Sequence, residues 1–200
     1  DSGSKIAIVS KSTLANRVIT AANKTDTVET VIVMEPLEVE DSGKIEMINW
    51  ADAMKPQSNL STNIDELISS ISRDDTAVII YTSGTGGAPK GVMLAHKSII
   101  HNCVAARNLL TSFGLEDEVF LSFLPLSHSY EYTGGQFFPI SIGAQVYFAE
   151  GVEQLRTNLT EARPTLMTAV PRLYESMHAR IVRGVDQAGG LKAKLFKLAL

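Results

Sequence analysis

The sequence predicts an α/β fold in which parallel-rich sheets are flanked by helices. Strand-like and helix-like segments alternate along the 200 residues, with short connections between them. The first segments follow the order strand, helix, strand, which is typical of a parallel βαβ unit. Apolar residues make up 44% and charged residues 20% of the chain, so a hydrophobic core can form.

The N-terminal part, residues 1–76, is predicted to be the βα portion of a partial domain. Its first strand is short and apolar, so we expect it to be buried. The predicted elements are, in chain order, a strand at 5–10, a helix at 13–23, a strand at 28–34, an acidic surface excursion at 35–57 and a helix at 64–72.

The second part, residues 77–200, continues the alternation. Residues 77–82 (AVIIYT) show no alternation of apolar and polar side chains, so this strand is expected to be buried on both faces. The elements predicted after it are a loop at 83–89, a return strand at 91–95, a helix at 96–113, a strand at 118–123, a helix at 130–142 interrupted by Gly134 and Gly135, a strand at 144–149, a helix at 152–162, a strand at 165–170, and helices that begin at Pro171 and at 191.

Charge and cysteine content disfavour several classes of protein. The formal net charge is −4, so no nucleic-acid partner is expected. Cys103 is the single cysteine, which excludes an intrachain disulfide and fits a cytoplasmic protein. No apolar run reaches the roughly 18 residues that span a bilayer. Three lysines of the last helix leave open a peripheral contact with the inner face of a membrane, although a solvated helix surface is favoured; they are Lys192, Lys194 and Lys197.

Residues 81–92 (YTSGTGGAPKGV) are the most informative stretch. They combine four glycines, one lysine and the hydroxyl side chains of Thr82, Ser83 and Thr85. Glycines let several backbone N–H groups turn inward together, and the resulting concavity binds anions. Hydroxyl groups donate hydrogen bonds and can ligate Mg²⁺, and Lys90 adds a positive charge for phosphate oxygens. The stretch therefore predicts a polyphosphate-binding loop.

Two common phosphate-binding motifs do not fit this loop. Counted from Gly84, the second glycine of a P-loop and the third glycine of a Rossmann fingerprint both fall on Pro89. Because a strand is predicted after the loop, phosphate would be held by loop amides and hydroxyls and not by a helix N-terminus. A plain surface loop is the alternative, but it needs neither the hydroxyl set nor the Pro-Lys-Gly that follows.

The loop resembles the phosphate-binding signature of the adenylate-forming superfamily, Tyr-Thr-Ser-Gly-Thr-Thr-Gly-x-Pro-Lys-Gly. Acyl-CoA synthetases, luciferases and nonribosomal-peptide adenylation domains share this signature. The chain departs from it at Gly86, where the family usually has a second threonine. The resemblance implies that residues 77–200 are an AMP-binding core within the large N-terminal domain of that superfamily, and residues 1–76 match only in general pattern.

Two further motifs resemble the long-chain fatty acyl-CoA synthetase branch. Residues 124–131 (LPLSHSYE) are similar to its Leu-Pro-Leu-x-His-x-Phe-Glu motif, and residues 170–175 (VPRLYE) to its Val-Pro-Arg motif. In that branch the first motif lines the acyl pocket, which implies that His128, Tyr130 and Glu131 bind substrate. Taken alone, His128 reads as a structural histidine, and the arginine and glutamate of the second motif read as a surface ion pair.

The resemblance implies a long-chain fatty acid–CoA ligase, an acid–thiol ligase that uses ATP, Mg²⁺ and coenzyme A. A fatty carboxylate attacks the α-phosphate of ATP to give acyl-adenylate and pyrophosphate, and the thiol of coenzyme A then displaces AMP. In this reading Thr85 and Lys90 are catalytic, and Thr85 also ligates the metal. The residues implied to bind the nucleotide are Thr82, Ser83, Gly84, Thr85, Gly86, Gly87 and Lys90.

Other parts of the family pattern are missing from these residues. The family has a later Tyr-Gly-x-Thr-Glu motif, a later aspartate that holds the ribose, and a small C-terminal domain with a lysine. We therefore expect the C-terminal domain to be absent and this chain to be inactive alone. Two alternatives stay open: a ligase or adenylation domain for another acyl, aryl or amino acid, and a nucleotide-binding domain without catalysis.

Overall fold

The computed structural model describes residues 2–36, 44–56, 63–84 and 87–199. It contains two compact units, residues 1–71 and residues 72–200. The division lies upstream of the one predicted after residue 76. The α/β class is confirmed, because both units contain parallel strands joined through helices.

Within the described ranges, the strands are β1 (Ile6–Val9), β2 (Thr30–Val33), β3 (Glu46–Asn49), β4 (Thr76–Thr82), β5 (Lys90–Ala95), β6 (Val119–Ser122), β7 (Gln145–Phe148) and β8 (Leu166–Met167). The helices are α1 (Ser12–Ala22), α2 (Trp50–Ala53), α3 (Ile64–Ser70), α4 (His96–Thr111), α5 (Ser129–Glu131), α6 (Phe138–Ser141), α7 (Leu155–Ala162), α8 (Pro171–Ala188) and α9 (Gly190–Ala199). A π-helical segment, Tyr132–Phe137, joins α5 to α6.

The first unit is a parallel sheet with β2 at its centre and β1 and β3 on either side. The predicted βαβ unit is confirmed, since β1 and β2 pair in parallel through α1. Side chains of α1 and β2 form the core, in which Ala15, Val31 and Val33 are almost fully buried. This packing follows from the period of two along β2, which sends alternate side chains to the same face.

Two predictions for the first unit were wrong. The strand at 5–10 is not buried throughout: Ile6 is 57% exposed and Ile8 is 53% exposed, because β1 is an edge strand that packs only one face against α1. Residues 35–57 are not purely a surface excursion, since β3 pairs with β2 inside them. The buried Ile45 and the partly buried Met47 supply the alternation that marks this strand, within an acidic stretch that obscures it.

The second unit combines the antiparallel hairpin β4–β5 with a parallel sheet in the order β7–β6–β8. Strand β6 is central and buried on both faces. Phe120 packs with Ile99, Cys103 and Phe138 on one side, and Leu121 packs with residues of α7 and α8 on the other. The prediction that β4 is buried on both faces was wrong, because Ile80 is its only buried residue and Tyr81 is 47% exposed where the hairpin projects as a two-stranded ribbon.

The helix predicted at 130–142 is present but changes its pitch at the two glycines. Its turns run from α5 through the π-helical segment, which contains Gly134 and Gly135, into α6. Gly114, with a φ of 78°, follows the end of α4, and Pro171 opens α8 as predicted. In the part of the chain that the structure describes, no helix is both long and apolar enough to cross a membrane.

Candidate active site

The glycine- and hydroxyl-rich loop connects the two strands of the hairpin. Thr82 pairs with Lys90 and Tyr81 pairs with Gly91, so the loop begins and ends at a closed strand pair. Directly opposed residues of an antiparallel pair project their side chains from the same face. Thr82 and Lys90 therefore stand together at the mouth of the loop, as a phosphate site requires.

Lys90 is exposed, and its side chain runs beside the backbone of the loop. A Cβ atom added to Gly84 would lie 3.6 Å from both Cγ and Cε of Lys90 and 3.1 Å from the carbonyl oxygen of Ala88. Among the described residues, no acidic side chain forms an ion pair with Lys90. Its ammonium group is thus available for an anion held by the loop.

Two glycines of the loop that the structure describes, Gly87 and Gly91, are required by the local geometry. Gly87 has a φ of 99°, a conformation that strains any residue with a Cβ, and its N–H donates a hydrogen bond to the carbonyl oxygen of Gly84 at 3.3 Å. Gly91 lies under the ring of Tyr81, where an added Cβ would approach ring atoms at 3.2 and 3.3 Å. Thr85 and Gly86, the predicted metal ligand and the departure from the signature, lie outside the described residues.

The second motif begins where β6 ends and forms a tight turn into α5. The N–H of His128 donates to the carbonyl oxygen of Pro125 at 2.9 Å, and Nδ1 of the same residue accepts from the N–H of Tyr130 at 3.2 Å. His128 is therefore the N-cap of the short helix, an arrangement that requires Nδ1 to carry no proton. Tyr130 is 49% exposed and can reach a ligand.

Glu131 is placed differently from its neighbours, since none of its surface is exposed. Its Oε1 accepts hydrogen bonds from Oγ of Ser122 at 2.7 Å and from the N–H of Phe123 at 3.1 Å. Its Oε2 accepts from Oγ1 of Thr168 at 2.5 Å. The motif thus presents His128 and Tyr130 outward while its glutamate is directed into the protein, away from any ligand at the surface.

An apolar groove of about 1000 Å³ lies between α7 and α8. Its lining includes Phe123, Leu124 and Pro125, together with Gly151 and Val170. These residues follow β6, β7 and β8, so the groove opens at the carboxyl ends of the parallel strands. Open α/β sheets bind ligands in this position.

Aliphatic side chains and basic side chains both line the groove. Leu155 and Leu159 project from α7, and Leu173, Met177 and Ile181 recur at helical spacing along α8. Arg156, Arg172 and Arg180 also line the groove. A ligand with an aliphatic body and an anionic group matches this lining.

Sequence reasoning missed the partners of Glu131 and most of the groove. Ser122 and Thr168 belong to no motif. A signal in the sequence was the glutamate that precedes the Gly-Gly pair in an apolar helix, because a buried carboxylate there needs hydrogen-bond donors from other segments. The surface ion pair considered for Arg172 and Glu175 is not formed. Cys103 is buried, and burial raises the pKa of its thiol, so it is a poor nucleophile.

The described residues contain no group of three or more His, Cys, Asp or Glu side chains that could hold a metal ion. A metal carried by a polyphosphate needs little from the protein, because Mg²⁺ keeps several waters and takes most other ligands from phosphate oxygens. Hydroxyl oxygens at the mouth of the loop, such as those of Thr82 and Ser83, are hard donors of the kind that Mg²⁺ accepts. The loop therefore fits a nucleotide-bound magnesium ion.

Comparison with known proteins identifies the class that this fold and loop define. The profile of the AMP-binding enzyme family matches residues 1–197. The chain belongs to this family.

The curated relatives include several long-chain acyl-CoA synthetases. The chain is 42% identical over 127 residues to the peroxisomal long chain acyl-CoA synthetase 6 of Arabidopsis thaliana. The aligned segment covers 63% of this chain and 18% of that protein. It is 36% identical over 156 residues to the long-chain-fatty-acid–CoA ligase ACSBG2 of Homo sapiens, covering 75% of this chain and 23% of that protein. The chain thus spans about a fifth of the length of these relatives.

Solved structures support the fold. The adenylation domain of a carboxylate reductase from Mycobacterium chelonae superposes with a TM-score of 0.70 at 19% identity, over 96% of this chain and 32% of that one. The o-succinylbenzoate coenzyme A synthetase of Bacillus subtilis, solved with ATP and a magnesium ion, superposes with a TM-score of 0.56 at 18% identity, over 86% of this chain and 45% of that one. The fold is that of adenylate-forming enzyme domains.

Proposed function

We propose that the protein is a long-chain fatty acid–CoA ligase that activates its substrate with ATP. The observation that carries this proposal is the groove at the carboxyl ends of β6, β7 and β8, which is lined by aliphatic side chains and three arginines, in a chain of the AMP-binding enzyme family. The relatives named as long-chain acyl-CoA synthetases support the same substrate class.

In the first step the loop between β4 and β5 would hold the triphosphate. The backbone N–H groups of the loop and the hydroxyls of Thr82 and Ser83 would donate to phosphate oxygens, and Lys90 would supply the positive charge. Thr85 would hold the magnesium ion, which neutralises phosphate charge when bound. Gly86, which has no side chain, would bind the nucleotide through its backbone.

The acid would lie along the groove with its tail against α7 and α8. Burial of each methylene contributes about 0.8 kcal/mol, so a long chain gains far more from this lining than a short or aromatic acid. His128 and Tyr130 would contact the acid from the adjoining turn, whose first residues also line the groove. Coenzyme A would then take the acyl group from the adenylate. Because the substrate dissolves in lipid, we include a cytoplasmic location with peripheral membrane contact in the proposal.

The test is acid-dependent ATP–pyrophosphate exchange, measured with the polypeptide encoded by the complete gene. We expect palmitate to support exchange with a kcat/KM at least about 100-fold above acetate, benzoate and phenylalanine, because only palmitate fills the groove. Equal or greater activity with one of the other acids would replace the substrate class. Nucleotide binding without exchange for any acid would favour a non-catalytic domain.

The role of the loop is tested by Thr85→Ala in the same polypeptide. Loss of one ligand to the nucleotide-bound metal should slow palmitate-dependent exchange at least about tenfold, or about 1.4 kcal/mol in activation free energy. Thr76→Ala is the matched control, since Thr76 lies at the opposite end of β4. An unchanged rate in the Thr85 variant would remove this residue from the catalytic set.

A further inference from the structure

Glu131 is a carboxylate in the interior of the second unit with an unusual set of partners. Within the described ranges, no lysine, arginine or histidine forms an ion pair with it. Its oxygens are instead satisfied by two hydroxyls and one backbone N–H. Burying such a group is costly unless its hydrogen bonds are complete, and an apolar residue would pack at lower cost. A specific geometric requirement explains why a carboxylate occupies this position.

The three donors come from the carboxyl ends of two neighbouring strands. Ser122 is the last residue of β6, Phe123 follows it, and Thr168 follows β8. The carboxylate thus joins both strand ends to the first turn of α5. That turn carries His128 at its N-cap and the exposed Tyr130, and the N–H of Tyr132 donates to the carbonyl oxygen of His128 at 2.9 Å.

The same carboxylate also fixes part of the groove. Phe123, whose N–H it accepts, lines the groove, and Val170 lines it two residues beyond Thr168. The glycine at 135 leaves space for this arrangement, because a Cβ there would lie 2.2 Å from Oε1 of Glu131. The buried side chain of Glu131 therefore connects the groove to the turn that contains His128 and Tyr130.

We infer that Glu131 is a positioning residue for the acid substrate, which holds the His128–Tyr130 turn and the groove lining at Phe123 in one arrangement without contacting the substrate. The inference rests on the proposed ligase function. It replaces a direct substrate contact for Glu131 with an indirect role, and it adds Ser122 and Thr168 to the residues that determine how the acid is held.

The experiment compares Thr168→Val with Thr165→Val in the polypeptide encoded by the complete gene. Both changes remove a threonine hydroxyl that donates to a carboxylate, but Thr165 donates to Glu118 near the opposite end of β6. We expect Thr168→Val to raise the KM for palmitate about tenfold, the size of a lost hydrogen bond to a charged group, with the KM for ATP unchanged. Thr165→Val should leave both KM values unchanged.

Glu131→Gln and Glu131→Ala separate geometry from packing. The glutamine oxygen can accept from Phe123 and its amide can donate to Thr168, so the palmitate KM of Glu131→Gln should stay close to the wild-type value. Glu131→Ala loses all three hydrogen bonds, so its palmitate KM should rise. If Glu131 contributed only to stability, Thr168→Val and the two Glu131 variants would have a lower melting temperature and a smaller active fraction, but both KM values would be unchanged. A folded Thr168→Val with the wild-type palmitate KM would overturn the inference.

A second readout does not depend on catalysis. Hydrogen–deuterium exchange of amides 128–132 should be faster in Thr168→Val and Glu131→Ala than in wild type, and unchanged in Thr165→Val. A wild-type protein without palmitate-dependent exchange of pyrophosphate would refute the proposed function. Unchanged amide exchange in the folded variants would refute the positioning role of Glu131, whatever the activity.

Discussion

At the scale of single residues, Gly135 and Glu131 depend on each other. The absence of a side chain at 135 lets the buried carboxylate reach its three donors, and the helix takes a π-helical pitch around this contact. Such π-helical turns occur frequently at functional sites. The glycine is thus required by a neighbour and not by its own backbone conformation.

Gly135→Ala should lower the free energy of unfolding by about 2–4 kcal/mol, because the new methyl group displaces a carboxylate whose hydrogen bonds cannot follow it. Gly134→Ala is the matched control, since its Cβ would meet only a methyl group of Thr168 at 3.4 Å. Urea unfolding of the two variants measures the difference. Equal losses of unfolding free energy in both variants would show that the Glu131 carboxylate can shift away from the new methyl group without destabilising the protein.

The loop between β4 and β5 shows what can be predicted from residue types alone. Its glycines, hydroxyls and lysine predict anion binding, and the hairpin register then places Thr82 beside Lys90. That the glycine at 91 makes room for the Tyr81 ring could not be predicted, because it depends on how a side chain crosses to the neighbouring strand.

At the scale of elements, α8 determines the shape of the groove. Leu173 of this helix is buried and Met177 is partly buried, while Ile181, which also lines the groove, is 51% exposed. The apolar face that these residues form is thus a core contact and, in the proposed function, also the surface that binds the acid. The sequence pattern does not distinguish the two, since both require aliphatic side chains at helical spacing.

Ile181→Trp should narrow the groove and lower kcat/KM for palmitate at least about tenfold, with little effect on octanoate, because only the longer tail needs this part of the lining. Gln187→Trp is the control, since Gln187 is an exposed residue of α8 outside the groove. Steady-state kinetics with both acids provides the comparison. An equal loss for the two acids would place the tail elsewhere.

Strand β3 shows why one element escaped prediction. Its short alternation lies in an acidic stretch, and it becomes a strand because β2 offers a free parallel edge in register from Thr30 to Val33. Helix α4, by contrast, was predicted correctly from its spacing of apolar residues, and it ends before Gly114.

At the scale of the whole molecule, the chain carries the loop and the groove but spans only 18% to 27% of the length of relatives such as those of Arabidopsis thaliana and Rattus norvegicus. Its two units are compact and have separate cores. Activity must therefore be measured with the complete gene product.

Residues 1–200 alone should form no acyl-CoA, because the sequence contains no Tyr-Gly-x-Thr-Glu segment to supply the second metal ligand that the family resemblance implies. A thioester assay with palmitate, ATP, Mg²⁺ and coenzyme A checks this, with the complete polypeptide as the positive control. Acyl-CoA formation by the 200 residues would contradict the prediction.

Features that depend on neighbours along the chain could be predicted from the amino-acid sequence alone. Residue types at fixed spacing predicted a phosphate-binding loop, the alternation of strands and helices, and the motif that contains His128, because the physical causes of these features act over a few residues. The family resemblance drawn from the loop agrees with the match of the AMP-binding enzyme profile over residues 1–197.

Features that join distant segments of the chain became known only from the folded structure. Glu131 bonds to Ser122, nine residues away, and to Thr168, 37 residues away, and the groove combines the ends of three strands with two helices. No local pattern specifies these contacts, because they depend on which strands become neighbours in the sheet. The fold thus turned a glutamate expected to face the substrate into the buried link between the groove and the His128 turn.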